Sequence, residues 1–359
     1  MVVFKRCALK GGTSGAPLRA SLRLLMHSAR PDGPLRALQQ ALENIPADQA
    51  VAVALSGGTD SVALALVAAR VCAQRGQALY FFHIHHGLMS EADAWAKHSG
   101  ELARALEVPL FVRHVKVDLA QGLGTEASAR EARYQALATL AQEHQVAALL
   151  LAHHQQDQAE TVLLRLLRGT GVLGLSAMHD DVERQGMRLL RPWLDIERAE
   201  LVAIAKQFAD RTGWQAVQDP SNNDPQFKRG AFRTELVPVL EKHWPAWRQT
   251  LARHARQAAE VTEILDEVAA LDWLTLEPNT SDLSFSLKAW RALSPARQAL
   301  VLRYWLEQQQ VAMPGERRLA DLMRQLRQLH ALGHDRELMW QHGSHTVRCL
   351  RGRISLSSG

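Results

Sequence analysis

The sequence predicts an α/β fold: a parallel sheet with helices on both faces, followed by a smaller, mostly helical domain. Three observations carry that reading. Short apolar runs alternate with helix-length segments from residue 51 to residue 167, and strands joined by single helices pair in parallel and need cover on both faces. The chemically distinctive residues gather at the carboxyl ends of those runs, where open parallel sheets bind ligands. Past residue 185 the alternation gives way to helical patterns.

Taken in order, residues 1–45 are basic, poor in acids and broken by Gly-Gly and Pro. Arg23 interrupts the one apolar stretch, which argues against a secretory segment. A poorly ordered extension is expected there, with a transit peptide, or synthesis starting at Met26, as alternatives. Val51–Leu55 reads as a strand and Val62–Gln74 as a helix. Leu79–His85, Leu110–Val115 and Ala147–Ala152 follow as strands, with Glu91–Leu106, Glu126–Glu143 and Asp157–Leu167 as helices. Arg188–Arg191 is a short strand and Ile196–Ala209 a helix. The stretch Asp219-Pro220-Ser221-Asn222-Asn223-Asp224-Pro225 is turn chemistry and a hinge candidate. Beyond it, Arg233–His243, Pro245–Asp272, Leu293–Gln309 and Arg317–His330 read as helices. Glu337–Trp340, Thr346–Leu350 and Arg353–Leu356 read as strands. The expected domains are 1–45, an extension; 46–225, catalytic; and 226–359, helical or α+β.

Composition excludes several classes. The chain has 359 residues, 47% hydrophobic and 22% charged, which suits two soluble domains. No apolar run reaches the roughly 18 residues of a membrane span. Cys7, Cys72 and Cys349 are far apart, so neither a disulfide framework nor a zinc site is expected, which fits the cytoplasm. The net charge is +5, but four of those charges lie in residues 1–50. Global charge therefore carries no argument for RNA; only local clusters can.

The most informative motif is Ser56-Gly57-Gly58-Thr59-Asp60-Ser61, between the first strand and its helix. Glycines let backbone approach an anion, and the first turn of a helix presents free N–H groups to it. Asp60 beside phosphates makes sense if a divalent cation lies between them. The loop lacks the lysine of a Walker A motif. The plain alternative is a Gly-Gly turn with a serine cap.

Four further segments follow. His83-Ile84-His85-His86-Gly87-Leu88 ends a strand, and pocket lining is favoured there over a metal, for want of partners on a second element. Arg130 and Arg133 lie three apart on a helix beside Tyr134. Guanidiniums suit phosphate and the ring could stack on a base; alternatively this is a solvated face balanced by Glu126 and Glu131. His153-His154-Gln155-Gln156-Asp157-Gln158-Ala159-Glu160-Thr161 places two carboxylates on one side of a helix start, fit to hold an ammonium or Mg²⁺, or to offset the helix dipole. The glycine-rich loop from Gly169 to Leu175 is a lid or a connector. Last, residues 228–256 hold Lys228, Arg229, Arg233 and four more basic residues against Glu235 and Glu241, with Trp244 and Trp247 interleaved. This is a phosphate track or an amphipathic helix with its tryptophans in the core.

Together these blocks, with Gly174-Leu175-Ser176-Ala177-Met178, Arg191-Pro192 and Asp219-Pro220-Ser221-Asn222, resemble the tRNA(Ile)-lysidine synthetases of the PP-loop ATP pyrophosphatase superfamily, across roughly residues 50–245. The resemblance implies an adenine nucleotide alpha hydrolase-like fold and two steps. ATP with Mg²⁺ adenylates the C2 oxygen of the wobble cytidine in a CAU-anticodon tRNA(Ile), and the amine of free L-lysine then attacks C2 and displaces AMP. Decoding changes from AUG to AUA. On that resemblance Ser56 to Ser61 hold ATP and Asp60 holds Mg²⁺. Arg133 stabilises phosphate charge, Asp157 and Glu160 grip the lysine ammonium, and His153 or His154 assists proton transfer. Arg130, Lys228, Arg229 and Arg233 contact tRNA. No membrane partner is implied, and a homodimer is compatible with it. The chain departs from the family pattern at Gln156, where an aspartate is usual, and at Gly230, where an asparagine is usual. Longer members carry a second C-terminal domain for which this chain has no room.

Overall fold

Residues 51 to 53 alternate between two buried sides, and that alternation sets the layers. A strand's successive side chains point to opposite faces. Val51 and Val53 accordingly enter one core cluster, while Ala52 enters another with Phe82, Tyr134, Leu137 and Leu149. In this computed structural model residues 33–85, 87, 91–115, 125–219, 224–279, 281–329 and 337–358 are described.

The first sheet is built from β1 (Ala50–Ala54), β2 (Leu79–His85), β3 (Leu110–His114), β4 (Val146–Leu150), β5 (Asp181–Arg184) and β6 (Met187–Leu190), in the order β3-β2-β1-β4-β6-β5. All neighbours pair in parallel except β5 with β6. The order reverses between β1 and β4, so the loops after these two strands open at the switch point. Helix α1 (Gly33–Ala41) precedes β1. The crossovers are α2 (Thr59–Arg75), α3 (Ala92–Ala105) and α4 (Thr125–Glu143), and α5 (Gln155–Leu167) follows β4. After the short α6 (Val172–Leu175) and the β5–β6 hairpin comes α7 (Arg198–Thr212). Helix α2 ends where Gly76 turns left-handed, at φ 65°, a usual helix stop.

Three differences from the sequence reading have physical causes. Residues 33–45, assigned above to the basic extension, start the fold: Leu38, Leu42 and Ile45 are buried in the main core. Their apolar spacing was hidden by the basic residues preceding them. Strand β5 escaped notice because it is four residues long and mostly charged, with no buried position. It exists because Gln185 and Gly186 both take positive φ, 53° and 70°, the geometry of a tight hairpin turn. Residues 226–256 group with the first compact unit, which runs to Arg256, and not with the second, Gln257–Gly359. The division falls inside the long helix α10 (Trp247–Thr275), which follows α8 (Lys228–Ala231), one turn of π-helix (Phe232–Leu236) and α9 (Val237–His243). Residues 1–32, His86, Leu88, Gly124 and the turn residues 220–223 lie outside the described residues.

The second unit has its own core. Helices α11 (Leu287–Ala292), α12 (Pro295–Gln308) and α13 (Glu316–Gln328) pack Trp290, Trp305 and Leu322 against Phe285, Val347 and Ile354. The last three belong to an antiparallel sheet, β7-β10-β9-β8, of β7 (Phe285–Ser286), β8 (Leu338–His342), β9 (His345–Leu350) and β10 (Arg353–Ser358).

Candidate active site

The turn after β1 is shaped by its glycines. Gly57 has φ 89°, a value that side chains resist, and a Cβ there would stand 3.1 Å from the Ser99 hydroxyl. Gly58 caps α2 without a side-chain acceptor. The first N–H groups of α2 therefore have no intrahelical partner and form an anion site. Ser61 Oγ donates to the Gly58 carbonyl at 2.9 Å and lies 3.0 Å from Ser56 Oγ. Val217 N–H donates to the Gly57 carbonyl at 2.9 Å, fixing the turn from its far side. Thr59 opens the helix and Ser56 is exposed.

Asp60 points from this turn toward the loop after β4. Its Oδ2 lies 3.7 Å from His154 Nε2, and that nitrogen lies 3.4 Å from Asp157 Oδ2. Its Oδ1 accepts from Arg198 Nε at 3.2 Å. A chain of Asp60, His154 and Asp157 thus crosses the switch point, joining residues about a hundred positions apart. Asp157 Oδ2 also accepts from the His154 backbone N–H at 3.2 Å, which ties the carboxylate to the start of α5. Burial works against its charge, but His154, His153, Arg229 and Arg233 outweigh that and hold its carboxyl below the usual range. His153, half-buried, goes the other way. Burial pushes its pKa down to about 3, with Arg191, Arg130 and Arg133 adding to the shift and Asp157 opposing it. His153 is thus a neutral imidazole at physiological pH.

Glu160 is fully buried and takes a two-pronged grip from Arg233, whose Nε and Nη2 donate to its two oxygens at 2.9 Å each. Arg233 Nη2 also reaches Asp157 Oδ1 at 3.4 Å. Burial alone would lower the Arg233 pKa, but Glu160 and Asp157 raise it. Arg229 donates to Thr161 Oγ1 at 2.9 Å and lies 3.8 Å from Glu160 Oε2. Gln156 Nε2 donates to Glu160 Oε1 at 3.0 Å. At that position an aspartate would instead bring a third negative charge to the cluster. Gly230 has an equally local cause: a Cβ there would collide with the backbone of Asp224.

Several expectations change. Arg229 and Arg233, read as part of an open basic track, are turned onto Glu160 and Thr161. Within the same run Arg248 pairs with Glu241 and Arg256 with Asp195, while Lys228 is exposed. The tryptophans divide: Trp247 is in the core and Trp244 is 61% exposed. Tyr134 is buried, with Arg184 4.1 Å above its ring, so it is no open platform for a base. Arg130 and Arg133 do share its side of α4, at 5.3 and 5.7 Å from the ring. His83 is buried and bonds the Leu55 carbonyl through Nδ1 at 2.8 Å, latching β2 to β1. Among the described residues no group of three or more His, Cys, Asp or Glu could hold a metal unaided. The glycine-rich loop docks on α5, where Arg165 Nη1 donates to the Gly174 carbonyl at 2.8 Å. Arg198 and Arg191 were missed as site neighbours. Arg198 carried no signal, whereas Arg191 stood in a quoted segment without a role.

Known proteins are similar to this chain over most of its length. Residues 34–240 match the PP-loop domain family and residues 285–355 the TilS substrate binding domain. The tRNA(Ile)-lysidine synthase of Bordetella parapertussis is 56% identical over 321 residues, covering 89% of this chain and 92% of that protein. The Burkholderia mallei enzyme of the same name is 40% identical over 335 residues, covering 90% of this chain and 64% of that one. Among solved structures, a U34-tRNA thiolase from Methanococcus maripaludis shares the fold, with a TM-score of 0.51 and 17% identity over 63% of this chain and 78% of that one.

Proposed function

The chain belongs to the tRNA(Ile)-lysidine synthase family, and from that premise we propose how its residues divide the work. It is a ligase that uses ATP to form lysidine on tRNA(Ile). The observation that best supports the detailed reading is the Asp60–His154–Asp157 chain, which brings the phosphate turn within reach of a second polar pocket.

The turn from Ser56 to Ser61 cradles the phosphates of ATP through backbone N–H groups and the two serine hydroxyls. Asp60 is a partly exposed carboxylate beside that cradle, the arrangement that suits Mg²⁺, which takes one or two carboxylates and completes its shell with phosphates and water. When bound there, Mg²⁺ would neutralise charge on the phosphates. Arg133, exposed on α4, is placed to stabilise phosphate charge as the C2 oxygen of the cytidine attacks the α-phosphate and diphosphate leaves. Such activation splits one hard displacement into two easier ones. Asp157 and Glu160 receive the ammonium of free L-lysine. Arg233 now occupies them, so the incoming ammonium replaces a guanidinium rather than entering bare hydrocarbon. The amine must lose its proton before it attacks; His153, whose burial disfavours protonation, lines the pocket as a neutral hydrogen-bonding group, and His154, which orients Asp60 and Asp157, is the candidate base. Lys228 and Arg130, with Arg229 and Arg233 once released, supply contacts to tRNA. The setting is the cytoplasm, and the active form is compatible with a homodimer.

Among the described residues, sulfur transfer, the activity named for the thiolase that shares the fold, finds no support. Cys72 and Cys349 are buried, and burial raises each thiol to about 11, far from a reactive thiolate.

The test combines purified protein, ATP, labelled lysine and unmodified CAU-anticodon tRNA(Ile). Lysine incorporation with AMP release is expected. AMP release without tRNA would instead indicate a metabolite enzyme, and tRNA binding without AMP a binding protein. Asp60→Ala should cost on the order of 10²–10³ in turnover, as loss of a positioned charge stabiliser does, while the melting curve stays in place. Full activity in that variant would remove Asp60 from the site.

A further inference from the structure

The phosphate turn is held from behind by a short strap, Trp214 to Val217, which follows the left-handed stop of α7 at Gly213, φ 74°. Val217 forms an isolated parallel bridge with Gly58, and its N–H is the donor to the Gly57 carbonyl. That carbonyl and the Gly58 N–H belong to one peptide unit, which is planar and trans, so the two point in opposite directions. Pinning the carbonyl to the strap therefore aims the Gly58 N–H to the other side, where Ser56 Oγ lies 3.4 Å away. The direction of a cradle donor is thus set by where the strap sits.

Helix α3 holds the strap through His98. Its Nε2 lies 2.6 Å from the Gln215 carbonyl, and a carbonyl only accepts, so this nitrogen carries the proton. The same ring stacks on Trp214, with centroids 4.2 Å apart and planes 6° apart. The other ring nitrogen faces Glu101 Oε2 at 3.4 Å. Ser99, next along α3, is fully buried, and its hydroxyl closes the space beside Gly57. The two contacts of His98 do different jobs. Trp214 is buried in the main core, edge-on to Phe208 at 5.9 Å, so the stack contributes to stability. Gln215 is exposed, and water can satisfy its carbonyl in the unfolded chain, so that bond adds little to folding. What it does is fix the strap two residues before Val217.

We infer that His98 is a positioning residue for ATP. It touches no substrate; its bond to the Gln215 carbonyl holds the strap, the strap holds the Gly57 carbonyl, and the Gly58 N–H is thereby aimed at the phosphates. The inference rests on the reading of Ser56 to Ser61 as the ATP cradle.

Two variants separate the contacts. His98→Phe keeps a ring on Trp214 and loses the donor; His98→Gln keeps a donor and loses the ring. The Kd for ATP is measured by calorimetry on the full chain, beside the melting temperature. His98→Phe should raise that Kd about three- to tenfold, the scale of one hydrogen bond, with its melting temperature close to wild type. Turnover at saturating ATP and the KM for lysine should stay within twofold. His98→Gln should bind ATP nearly as wild type does, although it melts a few degrees lower for want of the stack. Stability and ATP affinity then rank the variants in opposite order, which a merely structural role would not produce. An ATP Kd within twofold of wild type in His98→Phe, or ATP affinity that follows melting temperature across both variants, overturns the inference. A further measurement needs no variant. Coupling between sites is reciprocal, so a bound ATP analogue that cannot be cleaved must slow hydrogen exchange at the Val217 amide of the wild type, and an unchanged rate overturns the inference as well. Gly57→Ala, measured in parallel, separates the two levels. If it weakens ATP and His98→Phe does not, the inference alone fails; if Gly57→Ala leaves ATP affinity unchanged, the cradle reading fails and takes the inference with it.

Discussion

The two halves of the cleft are made of different materials. The phosphate half, Ser56 to Ser61, is backbone: a left-handed glycine, an uncapped helix start and two hydroxyls. The other half, around Asp157 and Glu160, is side-chain charge, held by Arg233, Arg229 and Gln156. A backbone cradle needs only a correct local turn. A buried ionic cluster needs every member, because each charge taken from water must find its counter-charge. The first half should therefore fail through geometry and the second through unpaired charge.

The largest effect expected from this contrast is at Arg233. Arg233→Ala leaves Glu160 buried beside only Arg229 and Gln156. Breaking a buried pair by removing one partner costs about 3–5 kcal/mol, and urea unfolding should show a loss of that order. Arg233→Lys should recover little of it, since one ammonium cannot reproduce the fork. A loss below about 1 kcal/mol, the scale of an exposed pair, would show that water reaches Glu160 and that the contrast is overstated.

Gly57→Ala comes next and tests the backbone half. At φ 89° an alanine is strained and its methyl meets Ser99. Such a conformation costs about 1–3 kcal/mol in a non-glycine residue, or the turn relaxes and the phosphate cradle is lost. A raised KM for ATP with lysine affinity unchanged is the expected signature. Gly230→Asn, which restores the family's usual residue, is expected to harm rather than help, because Asp224 backbone occupies the space. Gain of activity with an unchanged melting temperature would show that the 224–230 segment moves aside readily.

The same contrast explains what was legible in the sequence. The turn could be read because its parts are contiguous: an apolar strand, two glycines, an aspartate and a helix. The strand order could be anticipated only as a class, since no residue of β1 names β4 as its neighbour. The ion cluster was half visible. Asp157 and Glu160 stand three apart on one helix, but Arg233 lies more than seventy positions away and looked like part of an open basic run. Only folding shows that its charge is already taken. Strand β5 and helix α1 were missed for a related reason, as their local composition contradicts their role: β5 is charged and held by its turn, while α1 follows a basic stretch and is held by the core.

The smallest effect concerns pH and tests whether the ionic half is as dry as its pairing implies. His153 has its pKa pushed down to about 3, whereas an unfolded histidine titrates near 6.5. Between those values the unfolded chain binds a proton that the folded chain refuses. Stability therefore rises with pH across that window and is lost as pH falls from about 6.5 toward about 3. Asp157, held below its usual value, adds stability that is present above the unfolded carboxylate range and lost as pH falls through its own lower value. The two losses follow one another, His153 first and Asp157 at the acid end. His153→Gln should flatten the upper part of the curve of melting temperature against pH and leave the lower part intact. A partly exposed ring limits the size of the effect, so a shift of a few degrees is the scale to seek. If the wild-type and His153→Gln curves run parallel from pH 7 to pH 4, His153 accepts its proton freely, and the pocket around Asp157 is wetter than the buried Glu160–Arg233 pair implies.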